Sequence, residues 1–179
     1  MIIRKAVKSD SKEILKLSKK ASKTPNGIAR VAKEINQKDI NQIIENSLKK
    51  GLIFVMENPK NPKELIAEIH CYRFDPACFK HTLANLTLVV DPKFHGQGLG
   101  KKIFSYLLEE IKSSHQDIYR IELTCRQNNP RAIKLYQSLG FKIEGILEKR
   151  ILDFDGNLSD DTMMAWINPC YLSQTGVYN

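Results

Sequence analysis

The stretch from Leu86 to Phe104 constrains this chain most: an apolar strand runs into a glycine-dense turn, and the turn opens a helix. The strand reads Leu86-Thr87-Leu88-Val89-Val90, the turn runs from Asp91 to Gly100, and Lys101-Lys102-Ile103-Phe104 begin a basic, amphipathic helix. Glycines at 96, 98 and 100 leave the backbone bare and free to take positive φ. Successive N–H groups can then point into one concavity, where the helix N-terminus adds its partial positive charge. Such a turn suits an anion, most naturally a phosphate or pyrophosphate. Lys101 and Lys102 oppose the helix dipole at that end, so a bound polyanion accounts for them better than helix stability does. Two common phosphate motifs fail on spacing. Lys101 stands where G-x-G-x-x-G needs its third glycine, and Gly96 to Gly100 is one residue short for a P-loop, with Lys102 in place of the metal-binding hydroxyl. A glycine-rich connection without any ligand is the bland alternative.

A second patterned stretch runs from Asn128 to Phe141. Asn129 suits an N-cap, Pro130 a first helical residue, and Gly140 a left-handed stop after Leu139. One short helix of about three turns is therefore specified. Asn129, Ala132 and Tyr136 fall at i, i+3 and i+7 along one stripe of it, while Ile133 and Leu139 lie toward an adjoining face. The plain reading is a capped helix with a core tyrosine. A small alanine between two polar side chains also makes a stripe along which a ligand can lie.

Taken together, the two stretches resemble the GNAT superfamily of acyl-coenzyme-A-dependent N-acetyltransferases. The family's pyrophosphate loop, Arg/Gln-x-x-Gly-x-Gly/Ala, is matched by His95-Gly96-Gln97-Gly98-Leu99-Gly100, with His95 departing from the usual arginine or glutamine. The downstream pattern Asn-x-x-Ala-x-x-x-Tyr-x-x-x-Gly-Phe is met at every named position from Asn129 to Phe141. Glu144-Gly145 and Asp153-Phe154-Asp155-Gly156, with Asp161 and Met164, further resemble a subgroup acting on protein N-termini, polyamines and small amines. The resemblance implies an α/β (α+β) GNAT fold: a mixed, mostly antiparallel central sheet of about seven strands, flanked by helices. Its two central strands, 82–90 and 117–125, are expected to splay and admit the pantetheine arm. Acetyl-CoA is the implied co-substrate, an amine the acceptor, and no metal takes part. The backbone of Leu88, Val89 and Val90 would hold the pantetheine arm, with the N–H of Val89 or a neighbour polarising the thioester carbonyl. His95, Gly96, Gln97, Gly98, Gly100 and Lys101 would meet the pyrophosphate, while Asn129, Ala132 and Tyr136 would line the coenzyme. Tyr136 is the implied general acid, since a phenol is protonated at neutral pH and can donate to the leaving thiolate. Homodimers are common in the family, and this chain is open to the same assembly.

The rest of the chain fits one domain, 1–179, with 169–179 as a loosely ordered tail in which Tyr171 and Tyr178 could dock. The expected order is strand 2–7, helix 10–22, a break at Thr24-Pro25-Asn26-Gly27, and helical segments between 29 and 50. Strand 52–57, a turn at 58–62, and strands 64–73 and 82–90 follow. Helix 98–114, strand 117–125, helix 130–139, strand 141–153, a turn at Asp155-Gly156 and strand 160–168 complete it. Apolar runs are too short for a membrane span, and Met1-Ile2-Ile3-Arg4-Lys5 begins a strand, not a signal peptide. Cysteines 71, 78, 125 and 170 form no Cys-x-x-Cys pair and read as reduced thiols of a cytoplasmic protein, which argues against zinc.

Residues 1–50 carry thirteen Lys/Arg against five Asp/Glu, the whole of the +8 net charge. That excess raises nucleic-acid binding as a competing function. However, Lys12, Lys16, Lys19, Lys20 and Lys23 alternate with Ile14, Leu15, Leu17 and Ala21 as the wet side of a helix, and no aromatic interrupts them to stack bases. A second competitor is a catalytically silent acyl-CoA-binding module. Residues 82–90 contain no carboxylate, and Asn85 cannot take a proton. Glu68, His70, His81 and Glu122 remain open as general bases. Asp153, Asp155, Asp160 and Asp161 could attract a cationic amine but are equally ordinary in a hairpin.

Overall fold

The computed structural model describes residues 1–24, 28, 30–152 and 156–172. Along them run β1 (Ile3–Lys5), α1 (Ser11–Ala21), α2 (Gln37–Lys50), β2 (Gly51–Asn58), β3 (Asn61–Tyr72), β4 (Thr82–Val90), α3 (Leu99–Ser114), β5 (Arg120–Arg126), α4 (Pro130–Ser138), β6 (Lys142–Leu152) and β7 (Leu158–Ile167). The strands hydrogen-bond in the order β1-β2-β3-β4-β5-β7-β6. β4 and β5 are parallel, and their pairing is confined to Thr82↔Arg120 and Leu83↔Ile121. This is the mixed, mostly antiparallel sheet expected from the sequence. The chain forms two compact units, one of Met1–Arg73 with Asn85–Glu110, the other of Phe74–Ala84 with Ile111–Asn179.

In the first unit, helical periodicity supplies the core. Ile14, Leu17, Ser18 and Ala21 of α1 and Ile40, Ile44 and Ser47 of α2 are buried at i, i+3/i+4, i+7 spacing. With Ile53, Val55, Leu65 and Val89 most of these make one apolar cluster. Asn36 caps α2, its side-chain oxygen accepting from the Asp39 N–H at 3.1 Å. Phe54 alternates to the opposite sheet face and meets Tyr106 of α3 edge-on, ring centroids 5.1 Å apart. Helices on both faces explain why Leu52 to Met56 is continuously apolar rather than alternating. Truncating the fully buried Phe54 to alanine is expected to cost about 3–5 kcal/mol.

In the second unit, β5 pairs with β7 from Arg120↔Ile167 to Arg126↔Asp161, and β7 pairs with β6. Ile121, Leu123, Phe141, Met164 and Trp166 are buried. β6 is the sheet edge and is mostly exposed. Tyr171 docks on Tyr119 with ring centroids 5.0 Å apart, while Tyr178 lies outside the described residues.

Element boundaries differ from the sequence reading for local reasons. The turn expected over 58–62 narrows to Pro59-Lys60, because the Asn58 side chain accepts from the Lys60 N–H at 3.0 Å and fixes it. Residues 32–34 form a turn, and the helix expected there starts at its Asn36 cap. β5 starts at Arg120 rather than 117 because Ile118 N–H closes a turn on the His115 carbonyl at 3.0 Å. No helix among the described residues is long and apolar enough to cross a membrane.

Candidate active site

The turn after β4 is built by short-range bonds. Asp91 accepts from the Lys93 N–H at 3.0 Å and starts a 3-10 turn, Pro92–Phe94. Gly96 and Gly98 then take φ of +79° and +75°, and nothing lies within 4 Å of where a Cβ would stand on either. α3 follows at Leu99, its first turn closed by Lys102 N–H on the Gly98 carbonyl at 3.0 Å. His95, Gly96, Gln97 and Gly98 are exposed, as is Lys101. Bare, left-handed glycines at a helix N-terminus leave the backbone amides of this turn uncovered by side chains of their own. The departure at His95 has a structural account: Nε2 folds back and donates to the Val90 carbonyl at 3.1 Å. The imidazole braces the end of the strand.

Asp91 carries the turn's tether. It is 1% exposed and bonded at 2.8 Å by Lys20 of α1, which also reaches Glu64 at 3.0 Å. Burial pushes the Asp91 carboxyl up, but Lys20 and the Lys93 N–H outweigh it and hold the group below its ordinary value. The sequence placed Lys20 among solvated lysines. Its real neighbour is seventy-one residues away, which helix periodicity does not report.

β4 presents its backbone in a defined way. Asp91 N–H donates to the Ile66 carbonyl at 2.8 Å, extending the antiparallel β3–β4 ladder. Counting back along both strands sets Val89 beside Glu68 and Thr87 beside His70. Amides alternate in direction along a strand, so the Val89 N–H points toward β3 while those of Leu88 and Val90 point to the opposite edge. Asn85 takes φ of +52° and is exposed, and Leu86, Thr87 and Leu88 are half-buried although the strand is interior to the sheet.

In the second unit, α4 is specified as expected. The Asn129 oxygen accepts from the Ala132 N–H at 3.1 Å, and Pro130 opens the helix. At its end, Phe141 N–H bonds the Tyr136 carbonyl and Gly140 N–H the Gln137 carbonyl, both at 3.0 Å, with Gly140 at φ +93°. This is a Schellman stop, with its apolar contact supplied by Tyr136 against Phe141, centroids 6.1 Å apart. The Tyr-x-x-x-Gly-Phe spacing thus has a folding reason as well as a chemical one. Asn129, Ala132 and Tyr136 of the stripe are each half-buried. Burial of the phenol, with the neighbouring Cys125 adding to it, raises the Tyr136 pKa above its ordinary value. Tyr136 therefore stays protonated at neutral pH. Cys125 is pushed up to about 11 by burial and by Asp161, so it is a thiol there and not a nucleophile.

Of the candidate bases, Glu122 accepts from Arg120 Nε at 3.0 Å, and the same guanidinium reaches Glu144 at 2.8 Å. Bonded first to Glu144 and then to Glu122, Arg120 is raised above its ordinary value. His81 uses its carbonyl to accept from the Tyr119 and Arg120 N–H groups. Glu68 and His70, two apart on β3, bond each other at 2.8 Å. Asp161 is buried against Arg150 at 3.1 Å, and Asp160 accepts from the Lys149 N–H at 2.8 Å, the hairpin role. Asp153 and Asp155 lie outside the described residues.

Residues 22–141 match the acetyltransferase (GNAT) family. Over 67 residues the chain is 37% identical to a spermine/spermidine N(1)-acetyltransferase of Bacillus subtilis (strain 168), covering 37% of this chain and 40% of that protein. Over 84 residues it is 38% identical to the [ribosomal protein bS18]-alanine N-acetyltransferase of Escherichia coli (strain K12), covering 47% of this chain and 53% of that one. The chain thus spans about two fifths to one half of the length of these curated relatives. Among solved structures, a putative acetyltransferase from Salmonella typhimurium with its cofactor acetyl-CoA aligns with a TM-score of 0.83 at 20% identity, over 100% of this chain and 99% of that one. A GNAT family acetyltransferase from Streptococcus pneumoniae aligns at 0.82 and 18% identity, over 93% and 98%. At these identities the likeness is one of fold.

Proposed function

This chain belongs to the acetyltransferase (GNAT) family, and from that premise we propose that it transfers an acetyl group from acetyl-CoA to a primary amine. The observation that carries this reading is the turn at 95–101, whose left-handed glycines leave open space before the N-terminus of α3. A diphosphate fits there because the amides of Gly96 to Lys101 meet it without a side chain between. Lys101 adds positive charge, and Gln97 a side-chain donor. Acetyl-CoA supplies an activated acyl group whose carbonyl gains negative charge as an amine attacks. Leu88 N–H, directed away from β3, is the donor we assign to that oxygen in preference to Val89, whose N–H is directed into the ladder. Tyr136 donates its proton to the departing sulfur, a role supported by a phenol held protonated. Asn129 and Ala132 bear on the coenzyme along the same stripe of α4.

The acceptor is a primary amine of the kind its relatives' names describe: a polyamine, or the N-terminal amine of a protein, with a lysine side chain as a further candidate. The test is free-thiol release from acetyl-CoA with spermidine, spermine, a peptide with N-terminal alanine and a lysine peptide. Turnover with at least one is expected. Acetyl-CoA binding without thiol release from any amine would replace the enzyme by a silent acyl-CoA-binding module, the reading that a carboxylate-free β4 favours. Absence of acetyl-CoA binding would remove both.

A further inference from the structure

We infer that Glu68 and His70 form the proton-accepting dyad of the reaction, His70 taking the amine's proton through a bridging water and Glu68 positioning the ring. The inference rests on the acetyl-transfer reading and deepens it. Its basis is a juxtaposition on the sheet. The two side chains are 1% and 6% exposed, lie on one face of β3, and are joined from Nδ1 to Oε1 at 2.8 Å. A carboxylate can only accept, so a neutral ring paired with it carries its proton on Nδ1 and keeps a lone pair on Nε2.

The ladder places this pair beside the reacting strand. Counted from the Asp91–Ile66 bond, Val89 falls beside Glu68 and Thr87 beside His70, which sets the dyad next to Leu88, whose amide we assign to the thioester oxygen. Thr87 and Leu88 are half-buried and Asn85 is exposed, which brings solvent to this part of an interior strand. A water between ring and amine therefore has a route. Charged groups neighbour this row: Arg4 of β1 pairs with Val55 and is bonded to Asp10 and Glu57, and Asp91, two residues along β4 from Val89, is bonded to Lys20. Across β2 the ring faces Ile53, and α1 and α2 cover this sheet face with Ile14, Leu17, Ala21, Ile40 and Ile44. Tyr72, stacked at 6.3 Å between centroids, adds a titratable phenol, with Lys50 beyond it at 6.0 Å from the phenol ring. A single carboxylate next to the ring in an apolar setting fixes its tautomer and stabilises the imidazolium that forms.

The step balances as follows. The neutral amine's lone pair forms the C–N bond, and the nitrogen, now acidic, gives one proton through water to His70 Nε2. The C–S bond breaks with its electron pair going to sulfur, which takes the proton of Tyr136. The imidazolium then returns a proton to the phenolate by way of solvent.

The test is His70→Gln, read two ways. We expect kcat to fall by about 100-fold while acetyl-CoA affinity by calorimetry stays within about twofold. Glu68→Gln keeps an acceptor for Nδ1–H and should lose about tenfold in kcat. For wild-type enzyme, nitrogen-15 histidine spectra at about pH 8 should show His70 protonated on Nδ1 and bare on Nε2, assigned by elimination with variants of His81, His95 and His115. That readout stands even if the glutamine variants fail to fold. A His70→Gln enzyme with kcat within about threefold of wild type, or a wild-type ring protonated on Nε2, overturns the dyad alone. Wild-type protein that binds no acetyl-CoA overturns the acetyl-transfer reading and the dyad with it.

Discussion

Replacing Gly98 by alanine separates the turn's role in folding from its role in binding. Gly98 sits at φ +75° with nothing within 4 Å of the new methyl, so the folding penalty is the left-handed backbone term alone, roughly 1–2 kcal/mol. For a chain of 179 residues this corresponds to a drop in Tm of about 2–8 °C. Binding should suffer more, because that methyl occupies the open side of the turn where a diphosphate would contact bare amides. Losing one or two such contacts, at roughly 1.4–2.8 kcal/mol together, weakens acetyl-CoA binding by about 10- to 100-fold. Gly156 provides the matched control: φ is +82°, again with nothing within 4 Å, but it lies in the β6–β7 connection. Gly156→Ala should reproduce the Tm loss and leave acetyl-CoA affinity unchanged. Calorimetric titration and thermal unfolding of both variants make the assay. If the two variants bind acetyl-CoA equally well, the turn is a connection and not a diphosphate site.

Tyr136→Phe keeps the ring contact with Phe141 that closes α4, and kcat should fall by about 100-fold at an unchanged acetyl-CoA affinity; full turnover at saturating substrate would remove Tyr136 from proton transfer. Lys20→Met strips the buried Asp91 carboxylate of its partner and should cost about 1–2 kcal/mol in urea unfolding at neutral pH, reduced from the cost at a fully buried pair because Lys20 is 41% exposed. The folded pKa of Asp91 is lowered from 3.8, so its stabilisation is present above that value and is lost as pH falls below about 4; Lys20, raised from 10.5, contributes below that value and loses it as pH climbs through the folded pKa. The variant's urea midpoint should therefore change less than wild type's at both extremes, and parallel curves would refute the coupling.

What the sequence made legible was governed by neighbours along the chain. The glycine turn, the Asn129 cap and the Gly140 stop are each complete within a few residues, and the structure has them where spacing put them. Strand 82–90 was bounded at both ends by breaks in apolar content and came out with those bounds. Three features depended on partners far away. Lys20 reads as one more lysine on the wet face of α1 until Asp91 is brought to it. Val89 and Leu88 are alike in sequence, and only the Asp91–Ile66 bond decides which amide faces the ladder. His95 reads as a departure from the family loop, whereas its bond to Val90 makes it part of the strand's end.

The proton acceptor shows why catalytic groups can be harder to read than binding groups. A diphosphate needs amides held in one curvature, and local rules of glycine and helix geometry produce that curvature in one short segment. A base needs only a lone pair near the nucleophile, and any strand adjoining the thioester can provide it. With no carboxylate on β4, the neighbouring β3 can supply the function through Glu68-x-His70, a pattern whose two-residue period puts both side chains on one face. The spacing was visible in the chain, but nothing in it told that face from the one carrying Ala67 and Ile69. The ladder does so: Val55, Glu68 and Val89 share a row across three strands, with the apolar cluster on two sides. A buried carboxylate–imidazole pair in such a row carries a desolvation cost that well-packed apolar residues would avoid. Its place on the strand next to β4 is accounted for by the proposed proton transfer.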